Sequence, residues 1–276
     1  MTGSNDCSAR VAEAFNGRAR EVSKRLKALV QGQEEQTIHQ LRTSIRRYES
    51  VEALLPGRIR RSRNHKKFRE GCEDVFKSTT PIRDIDVVMA QLAGERGEYL
   101  AKFKGQLAMD RKRRVKVARR FAKTLLRKIR PSVRRPAVPE RKCEERVARV
   151  KASYYELIAS EQRQTLSDEG DVSSLHHLRK LYKDLRYTLE AAGSRPDDAA
   201  AEDLETFQEI LGRVHDEDIL IAFLRKRRRH PEAKKLLEAK TARRHEDYLS
   251  VRAVLGPKDG MKGTSTSVSQ SGPVAA

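Results

Sequence analysis

The sequence predicts an all-α protein of two four-helix bundles, related by a pseudo-twofold axis, with a basic groove or pore between them. Three observations lead to this prediction. Apolar residues recur at helical spacing along nearly the whole chain, and no strand-like alternation persists over six residues. A block of the form His-x-x-Arg-x-x-x-basic occurs twice, beginning at His39 and at His176. Each copy is followed, about 40 to 45 residues later, by an Asp-x-Asp block that begins at Asp84 or Asp216.

The predicted helices are separated by stretches rich in proline, glycine and hydroxyl residues, which commonly end helices. In the first half, we expect helices over about 7–31, 34–55, 62–77, from 84 onwards, and 95–130. In the second half, we expect helices over about 139–166, 171–193, 198–212, 216–228 and 230–255. The Asp-x-Asp blocks are thereby predicted to open a helix, where the helix dipole favours carboxylates.

The long period of the repeat indicates two copies of a helical subdomain rather than a solenoid of short repeats. We expect one domain over residues 5–255, with a first half at about 5–130 and a second half at about 138–255. The proline-containing stretch 131–139 is the predicted hinge between the halves. Residues 256–276 are rich in glycine, serine, threonine and proline and are predicted to be a disordered tail.

Each His-Arg block forms a basic row beside an apolar row on the same helix. Positions 0, +3, +7 and +10 of a helix fall within an arc of about 80°. The basic rows comprise His39, Arg42 and Arg46 in the first copy and His176, Arg179, Lys183 and Arg186 in the second, and the adjacent Arg47 is a further candidate binding residue. One residue earlier at each step lie apolar residues, including Leu41 and Leu178. The basic row is therefore turned by about 100° from the packing face, which predicts that it lines a groove between helices.

The charge of the chain predicts a polyanionic partner. The sequence has 59 Lys and Arg against 39 Asp and Glu, a net charge of +20 and an isoelectric point of about 10.1. Self-repulsion of this size opposes a compact state unless an anion compensates it. Nucleic acid, an anionic membrane and a phosphate polymer all qualify. Aromatic residues make up only 5% of the chain and tryptophan is absent, which counts against modules that bind single strands by base stacking.

The cysteines and the hydropathy of the chain predict a cytoplasmic protein that is not inserted into a membrane. The three cysteines, Cys7, Cys72 and Cys143, are odd in number and widely spaced, so neither a disulfide framework nor a zinc site is expected. No apolar run approaches 18 residues, and the N-terminus lacks an apolar signal core.

The duplicated motifs resemble those of the CHAD family, the conserved-histidine α-helical domains, over about residues 5–255. The resemblance is carried by His39-x-x-Arg42-x-x-x-Arg46-Arg47, by Arg83-Asp84-x-Asp86, and by their counterparts, including Leu211-Gly212-Arg213-Val214-His215-Asp216-x-Asp218. It implies a duplicated helical bundle that binds inorganic polyphosphate without catalysis and can localise to polyphosphate granules. Two positions depart from the repeat: Glu49 stands where the second copy has Arg186, and His215 stands where the first copy has Arg83.

The Asp-x-Asp blocks are predicted to support the basic rows rather than to bind a metal. Carboxylates at i and i+2 of a helix point about 200° apart, so they cannot easily share one ion. Asp84, Asp86, Asp216 and Asp218, together with Arg83, are therefore expected to be supporting residues that orient neighbouring guanidinium groups. No metal and no cofactor is expected.

Two other functions remain open at this point. The basic charge alone would suit a general nucleic-acid-binding protein, although no zinc finger, RNA-recognition motif or helix-turn-helix is visible. His176 or His177 with His215-Asp216 would suit an HD-type metal-dependent phosphohydrolase. In the main prediction, nucleic acid acts only as a non-specific competitor for polyphosphate.

Overall fold

The computed structural model describes residues 6–32, 37–128, 130–132, 140–193 and 198–256, except the side chains of 198–203. All regular secondary structure within these ranges is helical, as predicted. The helices are α1 (Cys7–Gln31), α2 (Thr37–Ala53), α3 (Gly57–Arg60), α4 (Arg63–Gln91), α5 (Glu98–Leu126), α6 (Glu140–Ser167), α7 (Val172–Ala192), α8 (Asp198–Arg225) and α9 (Pro231–Leu255). Most of the predicted hinge (133–139) and of the predicted tail (257–276) lies outside the described residues.

Capping interactions define the start of α1 and both ends of α7. The side chain of Asp6 accepts hydrogen bonds from the backbone amides of Ser8 and Ala9 at the start of α1. The Asp171 side chain does the same for Ser174 at the start of α7. At the end of α7, Gly193 adopts a φ of 69°, a left-handed conformation that glycine reaches without steric cost.

The helix breaks predicted at 78–81 and between 212 and 216 are wrong, because α4 and α8 are continuous. Pro81 lies inside α4, where it lacks a backbone donor and crowds the carbonyl of Lys77. The adjacent carbonyl of Phe76 accepts hydrogen bonds from Thr80 Oγ1 at 3.0 Å and from Arg42 at 2.8 Å. These side-chain donors bind the turn that precedes the proline, and the helix continues through it.

In α8, packing overrides the glycine that predicted a break. A glycine inside a helix costs about 1 kcal/mol relative to alanine. Leu211 and Val214, on either side of Gly212, are buried, as is Leu220 one and a half turns further on. Asp84 and Asp216 consequently lie in the interior of α4 and α8 and not in a first turn.

Three apolar cores hold the helices together. The first lies among α1, α2, the start of α4 and the end of α5, and the second lies among α6, α7, α8 and the end of α9. The third is formed by the end of α4, the start of α5, the end of α8 and the start of α9. α2 also packs against α7, and α4 against α8, which brings the two copies of the motif together.

The apolar row of each motif helix is buried, as the periodicity predicts. Ile38, Leu41, Ile45 and Tyr48 of α2 are each at most 1% exposed. Leu178 and Leu185 of α7 are fully buried. Because these rows face the cores, the basic row on each helix is turned toward the contact between α2 and α7.

The cysteines are closer in space than their spacing in the sequence indicates. The Sγ atoms of Cys7 and Cys143 lie 2.8 Å apart in the first core, and both side chains are buried free thiols. Glu140, at the start of α6, accepts hydrogen bonds from the backbone amides of Cys7 and Ser8. The beginning of α6 thus completes the cap of α1.

No helix among the described residues is long and apolar enough to cross a membrane.

Candidate functional site

A narrow cavity of about 90 Å³ lies where α2, α4, α7 and α8 meet. Its lining comprises His39, Arg42, Thr43 and Arg46 of α2, Arg83, Asp84 and Val87 of α4, His176, Arg179, Lys183 and Tyr187 of α7, and His215, Asp216 and Ile219 of α8. Six pairs of these residues occupy matching positions of the two sequence copies, such as Arg46 with Lys183. The cavity therefore gathers six of the eight predicted binding residues, three from each copy, around one space.

Positive charge in the cavity exceeds the carboxylates that could neutralise it. Five cationic side chains line it, against the two carboxyl groups of Asp84 and Asp216. Burial, together with the charges of Arg179 and Arg46, lowers the pKa of Lys183 to about 7. Burial also raises the pKa of both carboxyl groups. An unliganded site of this kind is electrostatically strained, and an anion would relieve it.

The cavity histidines are neutral near pH 7. Burial, followed by the charge of Arg179, lowers the pKa of His176 to about 4 and that of His215 to about 3. Burial and the charge of Arg83 lower the pKa of His39. The Nδ1 atoms of His176 and His215 face each other at 3.3 Å. One Nδ1 must carry the hydrogen that the other accepts, so Nε2 of the accepting ring is left as an N–H donor.

Matching arginines of the two copies are held differently. Arg42 donates to the carbonyl of Phe76 and to Thr80 Oγ1, both at 2.8 Å, and its guanidinium lies 3.8 Å from the centroid of the Phe76 ring. At the position of Thr80, the second copy has Gly212, and a Cβ atom there would lie 4.0 Å from Arg179 Nε. The buried Arg179 Nε has no hydrogen-bond partner among the described residues. Arg42 is thus anchored, whereas Arg179 retains a donor for a ligand.

Comparison with known proteins gives the family of the chain. The model of the CHAD domain family matches residues 13–225, more than half of the sequence. This chain belongs to the CHAD domain family. The resemblance noted in the sequence is confirmed by this match.

Two solved structures share the fold of this CHAD domain. The crystal structure of the CHAD domain from the plant Ricinus communis superposes with a TM-score of 0.67 at 17% identity, covering 92% of this chain and 93% of that one. PptA from Streptomyces chartreusis superposes with a TM-score of 0.58 at 15% identity, covering 91% and 98% respectively. At these identities the likeness concerns the fold alone. No curated protein matches the sequence.

The structure places Arg47 and Arg186, both of which are predicted binding residues, outside the lining of the cavity. Their guanidinium carbons lie 5.1 Å and 5.4 Å from the centroid of the Tyr187 ring, whose own side chain lines the cavity. Both also approach the carboxylate of Glu190, at 3.5 Å and 3.8 Å. Arg47 is turned by about 100° from Arg46 on the same helix, which explains why it misses the cavity.

The second carboxylate of each Asp-x-Asp block pairs with an arginine of the following helix. Asp86 accepts from Arg111 Nε of α5 at 2.6 Å, and Asp218 accepts from Arg244 Nε of α9 at 2.9 Å. The first carboxylate, Asp84 or Asp216, lines the cavity instead. The two members of a block therefore point in different directions, and no group of three or more metal-ligand side chains occurs in the described part of the chain.

The sequence did not single out several residues that line the cavity. Arg83 is predicted only as a supporting residue, His215 is considered only for the phosphohydrolase alternative, and Thr43 and Tyr187 are not predicted as site residues. Thr43 lies within about 60° of Arg46 on α2, and His215 occupies the repeat position of Arg83, so both signals were present in the sequence.

The anchoring of Arg42 can be tested by replacing Thr80 with valine. Thr80→Val keeps the side-chain shape but removes the hydroxyl that accepts from Arg42, and we expect a loss of about 1 kcal/mol in unfolding free energy. Urea denaturation followed by circular dichroism would measure it. Thr124→Val, which removes an exposed hydroxyl of α5, is the matched control and is expected to have little effect. Equal stabilities of the two variants would contradict the anchoring role.

Proposed function

We propose that this CHAD domain binds inorganic polyphosphate without catalysing its turnover. One observation carries the proposal: matching basic rows on α2 and α7 line a single cavity in which five cations face two carboxyl groups. A row of like charges in a confined space is unfavourable unless an anion fills it. The ligand should therefore be a dense, elongated anion with charge along its length.

The donor set of the cavity suits phosphate oxygens. Guanidinium groups present planar pairs of donors that match phosphate, and a lysine supplies a mobile point charge. The neutral histidines add donors without further repulsion. The residues of each row that line the cavity span seven residues of a helix, or about 10 Å along its axis. This length suits several consecutive phosphates rather than one.

The proposed site lies in a basic groove between two homologous halves related by a pseudo-twofold axis. Support comes from the six matched pairs of lining residues and from the contact of α2 with α7. A chain of identical phosphate units presents the same chemistry on both of its sides. A site with twofold-related donors can therefore bind it from both sides with equivalent contacts. We further propose a cytoplasmic location, with association to polyphosphate granules.

The proposal is tested by titrating the purified protein with tripolyphosphate and with long-chain polyphosphate in a calorimeter. We expect binding that weakens steeply as salt rises, because counterions compete for a polyelectrolyte. No orthophosphate should be released from either ligand in the presence or absence of Mg²⁺ or Mn²⁺. Release that depends on the metal would instead support a phosphohydrolase.

Competition with nucleic acid distinguishes the remaining alternative. Duplex DNA and tRNA are added to the polyphosphate complex at equal phosphate concentration. If polyphosphate is the specific ligand, neither should displace it substantially, because a narrow cavity does not admit a duplex. Full displacement by either nucleic acid would contradict the proposal and favour general nucleic-acid binding.

A further inference from the structure

A second basic space adjoins the cavity between α1 and α2. This groove has a volume of about 510 Å³, larger than that of the cavity. His39 and Thr43 line both spaces, so the cavity and the groove adjoin at these two side chains. Arg18 and Arg25 of α1 and Arg47 of α2 line the groove together with one carboxylate, that of Glu21, which pairs with Arg25 at 2.6 Å. Three guanidinium groups against one carboxylate leave the groove positively charged.

The cations beside the groove are incompletely neutralised. Glu190 of α7 is the ion-pair partner of Arg18 and Arg47, both at 3.5 Å, and of Arg186 at 3.8 Å. One carboxylate therefore serves three guanidinium groups. The Nε atoms of Arg47 and Arg186 are buried, and they are the atoms that approach Glu190, but these ion pairs lack hydrogen-bond geometry and neither Nε has a hydrogen-bond partner among the described residues. Buried donors that lack an acceptor are uncommon, and an anion is one group that would satisfy them.

We propose that a long polyphosphate chain leaves the cavity past His39 and Thr43 and continues along the α1–α2 groove. This inference rests on the proposed function of the cavity. Arg18 and Arg47 bind the phosphates that extend beyond the cavity, whereas a three-phosphate ligand is held by the cavity alone. The groove thereby makes affinity depend on chain length, and Arg47 contacts ligand from the groove rather than from the cavity.

Gly17 offers a probe of the groove that removes no existing contact. It lines the groove from α1, and a Cβ atom added to it would meet no atom within 4 Å. Gly17→Glu places a carboxylate in the groove, and glutamate is a better helix former than glycine. Gly105 of α5 is an exposed helical glycine with equally open surroundings, and it lies outside both spaces. Gly105→Glu is therefore a control with the same change of charge and backbone.

The experiment compares the affinities of wild type, Gly17→Glu and Gly105→Glu for tripolyphosphate and for long-chain polyphosphate. We expect Gly17→Glu to bind the long chain about tenfold more weakly, because contacts of a charged phosphate are lost and a like charge is added. Its affinity for tripolyphosphate should stay within about twofold of wild type, as should both affinities of Gly105→Glu. Arg18→Gln, an independent change in the groove, is expected to act in the same direction as Gly17→Glu.

The remaining outcomes distinguish failure of the groove inference from failure of the proposed function. Wild-type protein that binds neither ligand would contradict the proposed function itself. If wild type binds both ligands and Gly17→Glu binds the long chain as tightly, only the groove inference is overturned. The inference also fails if Gly17→Glu weakens both ligands equally, or if Gly105→Glu weakens the long chain as much as Gly17→Glu does.

Discussion

Replacing Lys183 with methionine is expected to stabilise the unliganded protein and to weaken polyphosphate binding. The side chain is largely buried beside Arg179 and Arg46, and this environment holds its pKa near 7 instead of the usual 10.5. At pH 6 the native protein therefore contains a buried ammonium group surrounded by like charges. Methionine has a similar length and no charge, so we expect a gain of about 2 kcal/mol in unfolding free energy. For a chain of this size, that corresponds to a rise of about 5 °C in melting temperature.

The same substitution removes a cation that is proposed to contact phosphate. A charge-assisted hydrogen bond contributes about 1.5 to 3 kcal/mol, so affinity should fall by about 10- to 100-fold. Thermal melts and calorimetric titrations at pH 6 measure the two effects. Lys180→Met, one turn away on α7 and outside the cavity, is the control and should change affinity by less than about threefold. A Lys183→Met protein that is less stable, or that binds as tightly as wild type, would contradict the electrostatic account of the cavity.

Polyphosphate affinity is expected to fall as the pH rises above 7. In the free protein Lys183 loses its proton with a pKa of about 7, whereas an adjacent phosphate favours the charged amine and raises its pKa in the complex. Binding above pH 7 must therefore take up a proton. Linkage sets a limit of about tenfold loss of affinity per pH unit, or up to about 100-fold between about pH 7 and 9. The charged groups that act on Lys183 are Arg179 and Arg186 of α7, Arg46 of α2 and Asp216 of α8.

The proton uptake can be measured by calorimetry in two buffers with different ionisation enthalpies. Lys183→Arg keeps its charge throughout this range, so its affinity should vary far less with pH. Burial also raises the pKa of Glu49 to about 7, but Glu49 is present in both proteins, and the difference between them isolates Lys183. Identical pH profiles for wild type and Lys183→Arg would disprove the assignment.

The ionisation of Lys183 should make the stability of the free protein rise with pH, whereas it makes polyphosphate affinity fall. Between about pH 7 and 10.5, the unfolded chain retains a proton on Lys183 that the folded protein has lost. The contribution of Lys183 to the unfolding free energy therefore rises with pH across this range. Lys183→Met should lack this increase, which chemical denaturation at several pH values would show.

The sequence predicted the helix faces well because their periodicity is local. Leu41 and Leu178 are fully buried, and Arg42 and Arg179, which follow them, line the cavity. The angle of about 100° between neighbouring helical residues was enough to place the basic rows beside the packing face. Which other helices close the cavity depends on tertiary contacts, which no local pattern contains.

The errors of prediction have a common physical origin in contacts between distant residues. Pro81 usually ends a helix, but Arg42, which is far away in sequence, donates to the carbonyl of Phe76 and helps α4 to continue. Arg47 is an exception, because its rotation of about 100° from Arg46 along α2 is a local property of the helix. The repeat pattern predicts roles only for positions at which the two copies agree. It therefore gave no prediction for residues that differ between the copies, such as Thr80 and Gly212.

The third core has a consequence for any attempt to dissect the protein. Val88 and Phe103 precede the predicted hinge, whereas Leu220 and Leu224 follow it, and all four are buried in this one core. Cutting the polypeptide between α5 and α6 would expose these side chains on both fragments. Exposed apolar surface of this kind promotes aggregation. We therefore expect neither fragment to be an autonomous folding unit.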